Sequence, residues 1–292
     1  MKLMQDLRQL PNVDQLARSP ELAGYAPKLR VQAARAAVNF LRDEIRSGNG
    51  KTALPPAELA AQMAQNLAQP SPRPAINLSG VILHTGLGRA RLAPSVAEHV
   101  AAVAACHSAV ELDLEEGSRG DRQEHVRDLL KQLTGAEDAL VVNNAAAGVL
   151  LTLTALCAGE EVILSRGQMV EIGGSFRLPD IVKQSGCRLV EVGCTNKTRL
   201  SDYEEMLAPE TAAILRCHPS NFKIIGFTEE PSIEDLAQLC RERDILLIDD
   251  QGSGCLVDLA RFGLPAQPML PASIAGGASI AIASGDKLLG GP

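Results

Sequence analysis

Three stretches of the chain carry side chains whose type and setting suit chemistry. Ile245-Leu-Leu-Ile-Asp249-Asp250 closes an aliphatic run on two carboxylates and enters the flexible Gln-Gly-Ser-Gly254. Ser279-Ile-Ala-Ile-Ala-Ser284-Gly-Asp286-Lys287 closes another on a lysine. Asn143-Asn144-Ala145-Ala-Ala-Gly148 follows the run Ala139–Val142 and opens a helical stretch. Paired carboxylates at a strand end can hold Mg²⁺, as in nucleotide hydrolases, or form an ordinary polar strand end. A lysine placed beyond a buried strand by small residues can form a Schiff base. The first N–H groups of a helix favour a phosphate, although Asn at that place also serves as a plain N-cap.

Pyridoxal phosphate needs all three features together. Its aldehyde takes a lysine, its ring nitrogen takes a carboxylate that keeps it protonated, and its phosphate takes an anion cradle. The chain order of cradle, Asp250 and Lys287 is the order of an aspartate-aminotransferase-like pyridoxal phosphate fold. Three other arrangements fail. Gly48-Asn-Gly-Lys-Thr52 resembles a P-loop, but Ile45 stands where the first glycine belongs and a helix precedes it. Gly86-Leu-Gly88 has Arg91 in place of the third glycine of a dinucleotide fingerprint. Cys217-His218 lacks nearby metal ligands. No metal site is expected.

The elements that must position these residues alternate. Ala139–Val142, Glu161–Leu164, Arg188–Val192, Ala212–Leu215, Ile245–Ile248 and Ser279–Ala283 read as short buried strands, with helices such as Ala145–Cys157 and Ile233–Arg243 between them. This predicts an α/β fold with a mainly parallel sheet covered on both faces, and ligands bound beyond the carboxyl ends of its strands. The first 70 residues differ. Val31, Ala34, Val38, Leu41 and Ile45 form one helical stripe ending at Ser47-Gly48-Asn-Gly. Pro55-Pro56 opens a second helix with Leu59, Met63 and Leu67 on one face. Gln69-Pro-Ser-Pro-Arg-Pro74 is a stiff linker, so the expected domains are 1–70 and 75–292.

Composition narrows the classes. Of 292 residues, 46% are hydrophobic and 22% charged, which excludes wholesale disorder. Aromatics are 2% and Trp is absent, so base-stacking platforms are not expected. Seven cysteines without a CxxC pair fit neither a disulfide framework nor a zinc site, and suit a reducing cytoplasm. No apolar run approaches the roughly 20 residues of a membrane span, and residues 1–10 contain no signal-like core. Residues 1–70 carry 9 Lys+Arg against 6 Asp+Glu, while the rest carries 19 against 29. A basic head on an acidic body admits a polyanion partner at the head, and equally a solvated helical surface.

The motifs Asn77-Leu-Ser-Gly-Val-Ile-Leu-His-Thr-Gly-Leu-Gly-Arg89-Ala, Asp113-Leu-Glu-Glu-Gly-Ser-Arg-Gly-Asp-Arg122, Glu171-Ile-Gly-Gly-Ser-Phe-Arg177-Leu-Pro-Asp180, Gly252-Ser-Gly254 and Ser284-Gly-Asp-Lys-Leu-Leu-Gly-Gly-Pro292 resemble those of bacterial selenocysteine synthases. These are the L-seryl-tRNA(Sec) selenium transferases. The resemblance implies that Lys287 carries pyridoxal phosphate, that Asp250 pairs with its ring nitrogen and that Asp286 assists. Asn143, Asn144, Ala145, Gln168 and Ser284 would complete the cofactor contacts, with Arg89, Cys194, Thr195, Ser220, Asn221 and Phe222 on the substrate side.

The reaction it implies is a β-replacement. Seryl-tRNA(Sec) loses hydroxide through an aminoacrylyl intermediate, to which selenophosphate adds. The helical head would bind the tRNA, and the chain would assemble into oligomers built from dimers in the cytoplasm. Where the family pattern has Asn, Asn, Glu, Thr and Tyr, this chain has Gly86, Ala145, Gln168, Cys194 and Phe222. The chain stops five residues after Lys287, before the family's C-terminal domain. Weak cofactor binding and poor turnover are therefore expected of this chain alone. The same residues leave two alternatives open: a related pyridoxal phosphate β-eliminase or lyase on a small amino acid, and an inactive paralogue that binds tRNA or a full-length partner.

Overall fold

In a computed structural model of the chain, residues 7, 9–47, 54–174 and 176–291 are described. The stop at Gly48–Gly50, Lys51 and Thr52 of the P-loop-like stretch, Ser175 and Pro292 lie outside them, as does most of the segment before Leu10. The chain divides into two compact units between Ile76 and Asn77. No helix among the described residues is long and apolar enough to cross a membrane.

The first unit holds α1 (Val13–Ala17), α2 (Pro27–Ser47) and α3 (Pro56–Ala68). Asn12 caps α1 by accepting the Asp14 N–H at 2.8 Å. Arg30 ties the turn before α2 by donating to the carbonyls of Tyr25 and Ala23. The core is Leu16, Leu22, Ala33, Ala34, Ala37, Val38, Leu59, Ala60 and Ala64. The predicted stripes are only partly the buried faces. Ala34, Val38 and Leu59 are buried, Val31, Leu41 and Met63 pack at the margin, and Leu67 stands 53% exposed in the last turn of α3. The seam is made largely of alanines, which let the helices approach closely and leave the larger residues at its edges.

The second unit contains α4 (Pro94–Ala104), α5 (Glu124–Thr134), α6 (Ala145–Cys157), β1 (Glu161–Ser165), the short hairpin β2 (Glu171–Ile172) and β3 (Phe176–Arg177), and α7 (Leu178–Gln184). Then follow β4 (Arg188–Val192), α8 (Leu200–Glu204), β5 (Thr211–Cys217), α9 (Ile233–Arg243), β6 (Leu246–Gly252), α10 (Leu270–Ala275) and β7 (Ile280–Ala283). The main sheet has the order β4-β1-β5-β6-β7, and every pairing is parallel.

Alternation along each strand divides the core in two. Val162, Leu164, Ala213, Leu215, Ile248 and Ile282 share one cluster with Val149 and Leu153 of α6 and Leu178 and Val182 of α7. Ile163, Ile214 and Leu247 share the other with Tyr203 of α8 and Leu236 and Leu239 of α9. Each such fully buried aliphatic side chain contributes on the order of 1.5–3 kcal/mol. The same alternation sends Asp249 and Asp250 to opposite faces of β6.

One strand prediction is overturned. Ala139–Val142 belongs to no strand; Leu140 is 58% and Val141 48% exposed. The backbone of Val141 is held instead by the Gln123 side chain, with bonds of 2.8 and 3.0 Å. This segment and Ile280–Ala283 both line a cavity of about 900 Å³, and the run pairs with no strand. No residue from Asn77 to Gly148 is buried. Val96, Val100 and Val103 of α4 are 42–51% exposed.

Candidate functional site

The site forms where β6 and β7 end. Main-chain pairing continues past both strands: Ser284 N–H reaches the Gly252 carbonyl and Leu288 N–H reaches the Ser253 carbonyl. This brings the turn after β6 against the turn that carries Lys287. The turn needs glycine at two places. Gly252 and Gly254 have φ of +65° and +49°, and a Cβ on Gly254 would overlap that of Ala283.

Asp250 and Lys287 meet across one residue. Asp250 Oδ1 accepts the Gly252 N–H at 3.0 Å, and Lys287 Nζ donates to the Gly252 carbonyl at 3.4 Å. Asp250 is 5% exposed, and its other neighbour is the Cys217 thiol, 3.8 Å from Oδ2. Burial raises its carboxyl from 3.8 to about 6; the Asp249 charge adds to this, while the Gly252 N–H and Lys287 oppose it. Burial lowers the Lys287 amine below its ordinary value, helped by the Arg89 charge and opposed by Asp286 and Asp250. A buried carboxylate held by one amide, near an amine whose pKa burial lowers, fits a cationic ring nitrogen and an aldehyde. These residues can hold pyridoxal phosphate.

Asp286 lies on the outer side of Lys287. It is ion-paired with Arg89, and Ser284 Oγ donates to its Oδ1 at 2.8 Å. Partial burial opposes its ionisation, but the bonds from Arg89 and Ser284 and the Arg89 charge outweigh that, so its carboxyl sits below the ordinary range. Arg89 adopts φ +58°, an unusual value for a side-chain-bearing residue, and the next N–H, of Ala90, bonds the Asp286 carbonyl at 3.0 Å.

The segment expected to cradle an anion forms the start of α6. Asn144 caps it, Oδ1 accepting the Ala147 N–H at 2.8 Å. The cavity beside β7 is lined by Asn143, Asn144, Ala145, Arg89, Ser284 and Asp286, but not by Asp250 or Lys287. Gln168 is buried, and its Oε1 accepts the Cys217 N–H at 3.0 Å, so that oxygen is committed to the end of β5.

The residues expected on the substrate side separate. Ser220 lies against Gly252, its Oγ 3.4 Å from where a Cβ would stand. Asn221 donates to the Glu171 carbonyl at 3.0 Å, and Phe222 is 39% exposed. Cys194 and Thr195 are exposed in the loop after β4, at the far edge of the sheet, where the Thr195 carbonyl packs on Gly167.

Sequence reasoning assigned no role to several groups around Asp250. Asp249 is fully buried on the opposite face and accepts from Arg216 at 2.7 Å, Ser273 at 2.6 Å and Gln251 at 3.2 Å. Period-two alternation from Ile248 would have separated the two carboxylates. Only the pairing of β5 with β6 places Arg216 opposite Asp249 and Cys217 opposite Asp250.

A parallel sheet covered by helices, with Asp250 and Lys287 brought together at its carboxyl edge and a capped helix start near by, defines an aspartate-aminotransferase-like α/β protein. Two solved structures share the fold. The D-glucosaminate-6-phosphate ammonia-lyase superposes with a TM-score of 0.55 at 24% identity, over 70% of this chain and 52% of that one. The SepCysS–SepCysE N-terminal domain complex gives 0.52 at 16% identity, over 77% and 55%.

Residues 75–292 match the family described as "SelA: L-seryl-tRNA selenium transferase". The L-seryl-tRNA(Sec) selenium transferase of Moorella thermoacetica is 48% identical over 293 residues, 98% of this chain and 62% of that protein. That of Carboxydothermus hydrogenoformans is 46% identical over 302 residues, 100% and 64%. The chain belongs to the L-seryl-tRNA selenium transferase family. It spans less than two thirds of the length of these relatives.

Proposed function

We propose that this chain carries pyridoxal phosphate on Lys287 and belongs to an enzyme that converts L-seryl-tRNA(Sec) to L-selenocysteinyl-tRNA(Sec) with selenophosphate as the selenium donor. The observation that carries the reading is the pair Asp250 and Lys287, bound to the N–H and the carbonyl of the same residue, Gly252. When bound, the cofactor supplies an electron-accepting ring that makes the seryl α-proton acidic and the β-hydroxyl a leaving group.

The protein's part is to bind, orient and move protons. Asp250 holds the ring nitrogen, and its buried carboxylate favours the protonated nitrogen as a partner. Lys287 Nζ would be the base for the α-proton, and burial lowers its pKa in the direction that role needs. Asn143, Asn144 and Ala145 offer the start of α6 to the cofactor phosphate, with Ser284 beside them. Arg89 holds Asp286 ionised next to Lys287 and is the cation proposed to meet an anionic substrate group. Gln168, Ser220, Asn221, Phe222, Cys194 and Thr195 complete the assignment, with Ser220 the nearest to Gly252 among the last five.

The helical head, 1–70, is the proposed tRNA-binding unit, supported by its net charge of +3 against −10 for the remainder. Self-assembly through dimers is supported by the unburied stretch Asn77–Gly148, whose exposed valines and leucines call for a cover. The reading places the reaction in the cytoplasm, where the free cysteines stay reduced.

The test is reductive trapping. The chain is saturated with pyridoxal phosphate, treated with borohydride and digested. The pyridoxyl group is expected on the peptide containing Lys287; labelling on another lysine, or none, rejects the reading. Removal of residues 1–70 is expected to abolish tRNA(Sec) binding, and salt to weaken binding by the intact chain.

A further inference from the structure

β6 carries two consecutive carboxylates that the fold surrounds differently. Asp249 is fully buried, and both of its oxygens face donors: Arg216 at 2.7 Å on one, Ser273 Oγ at 2.6 Å and Gln251 Nε2 at 3.2 Å on the other. Such surroundings suit the ionised form. The Gln251 amide is turned to the same end. Its Nε2 also donates to the Met269 carbonyl, while its buried Oε1 has no partner among the described residues.

Asp250 follows by one peptide, about 3.8 Å between Cα atoms. It is buried too, with the Gly252 N–H on one oxygen and the Cys217 thiol near the other. Two buried carboxylates this close do not both ionise unless one is compensated. The register of β5 decides which. It places Arg216 opposite Asp249 and Cys217 opposite Asp250, and burial raises the Cys217 thiol, so Asp250 receives a neutral neighbour.

Among the described residues, Arg216 is the cation in ion-pair contact with Asp249. Burial lowers the His218 imidazole, with Arg216 adding to this and Asp249 opposing it, so it is neutral at pH 7. Burial also raises the phenol of Tyr203 on α8, as does the acidic Glu230, while Arg216 opposes them. Lys287 acts on Asp250 and is the group proposed to carry the cofactor.

We propose that Arg216 is a positioning residue of the cofactor site: by neutralising Asp249 it leaves Asp250 free to carry the negative charge that meets the ring nitrogen. The inference rests on the proposed function and adds to it a residue that acts through the sheet, without touching the cofactor. Its effect has a sign. Loss of the guanidinium leaves the Asp249 charge uncompensated and drives Asp250 toward its neutral form. Loss of the Asp249 charge does the opposite. A residue that merely joined β5 to β6 would not give opposed shifts.

The test is pyridoxal phosphate affinity from pH 5 to pH 8, by equilibrium dialysis on the full chain and its variants. The reading is the pH midpoint at which affinity is lost on the acid side. Arg216→Gln should raise it by about one pH unit from a parent value set by Asp250 at about 6, which is about fivefold weaker binding at pH 6. Asp249→Asn should lower it by about half a unit. The double variant, without either charge, and Arg216→Lys, which keeps the cation, should stay near the parent. If Arg216→Gln does not fold, Asp249→Asn carries the test, since it keeps an oxygen for Arg216. Midpoints equal to the parent's, or moved the same way by both single variants, overturn the role of Arg216 alone. A parent chain that shows no cofactor on Lys287 after reductive trapping overturns the proposed function as well.

Discussion

Asp250→Asn separates the demands of folding from those of function. The Asp250 carboxyl is 5% exposed and has one backbone N–H, a thiol and the end of Lys287 for company. Its pKa stands at about 6 against an ordinary 3.8. At 1.36 kcal/mol per pH unit, keeping it ionised at neutral pH costs the folded cofactor-free chain ~3 kcal/mol.

Asparagine keeps an oxygen for the Gly252 N–H and carries no charge. The variant should therefore be more stable than the parent by up to ~3 kcal/mol at pH 7.5, measured by urea unfolding without cofactor. The pH dependence has a definite sign. The folded parent binds the extra proton between its folded and unfolded pKa values, so its stability rises as pH falls from above 6 to below 4. The advantage of the variant disappears over the same window. Pyridoxal phosphate affinity moves the other way, since a neutral amide cannot hold the ring nitrogen protonated. A variant less stable than the parent at pH 7.5, or a difference that does not change with pH, would refute the reasoning.

Arg216→Ala leaves the fully buried Asp249 without its cation and should cost about 3–5 kcal/mol; adding Asp249→Asn should recover most of the loss, checked by a double-mutant cycle in urea. Ser232→Ala removes the capping box that Ser232 and Asp235 form at the start of α9, and should lower stability by about 1 kcal/mol. Leu153→Ala, in the core under the sheet, should cost about 2–5 kcal/mol, whereas Leu140→Ala should cost no more than about 0.5 kcal/mol. A large loss at Leu140 would show that Ala139–Val142 is a core strand after all.

Much of the α/β unit is legible without coordinates. The aliphatic runs that became β1, β4, β5, β6 and β7 are short, bounded by polar or small residues and separated by helices with recognisable starts, such as Asn144 before α6 and Ser232 before α9. These are local signals, set by burial and capping within a few residues. Asp250 and Lys287 were legible for the same reason: each stands just past an aliphatic run, where a parallel sheet presents its carboxyl ends.

What required the tertiary structure was every decision that depends on a distant partner. Ala139–Val142 has the composition of a strand, but a strand exists only when another pairs with it, and here Gln123 holds the Val141 backbone. Asp249 and Asp250 are the same residue type side by side. Pairing with β5 gives one to Arg216 and leaves the other without an ion-pair partner, so the two carboxylates stand in different electrostatic surroundings. Arg89 meets Asp286 across 197 positions, and the irregularity at Gln251 shifts the register of β6 against β7. The sequence by itself determined the elements and the chemical groups at their ends, because backbone propensity and hydrophobic pattern act over neighbouring residues. The folded sheet alone decided which of those groups share a face, because register and packing join residues far apart in the chain.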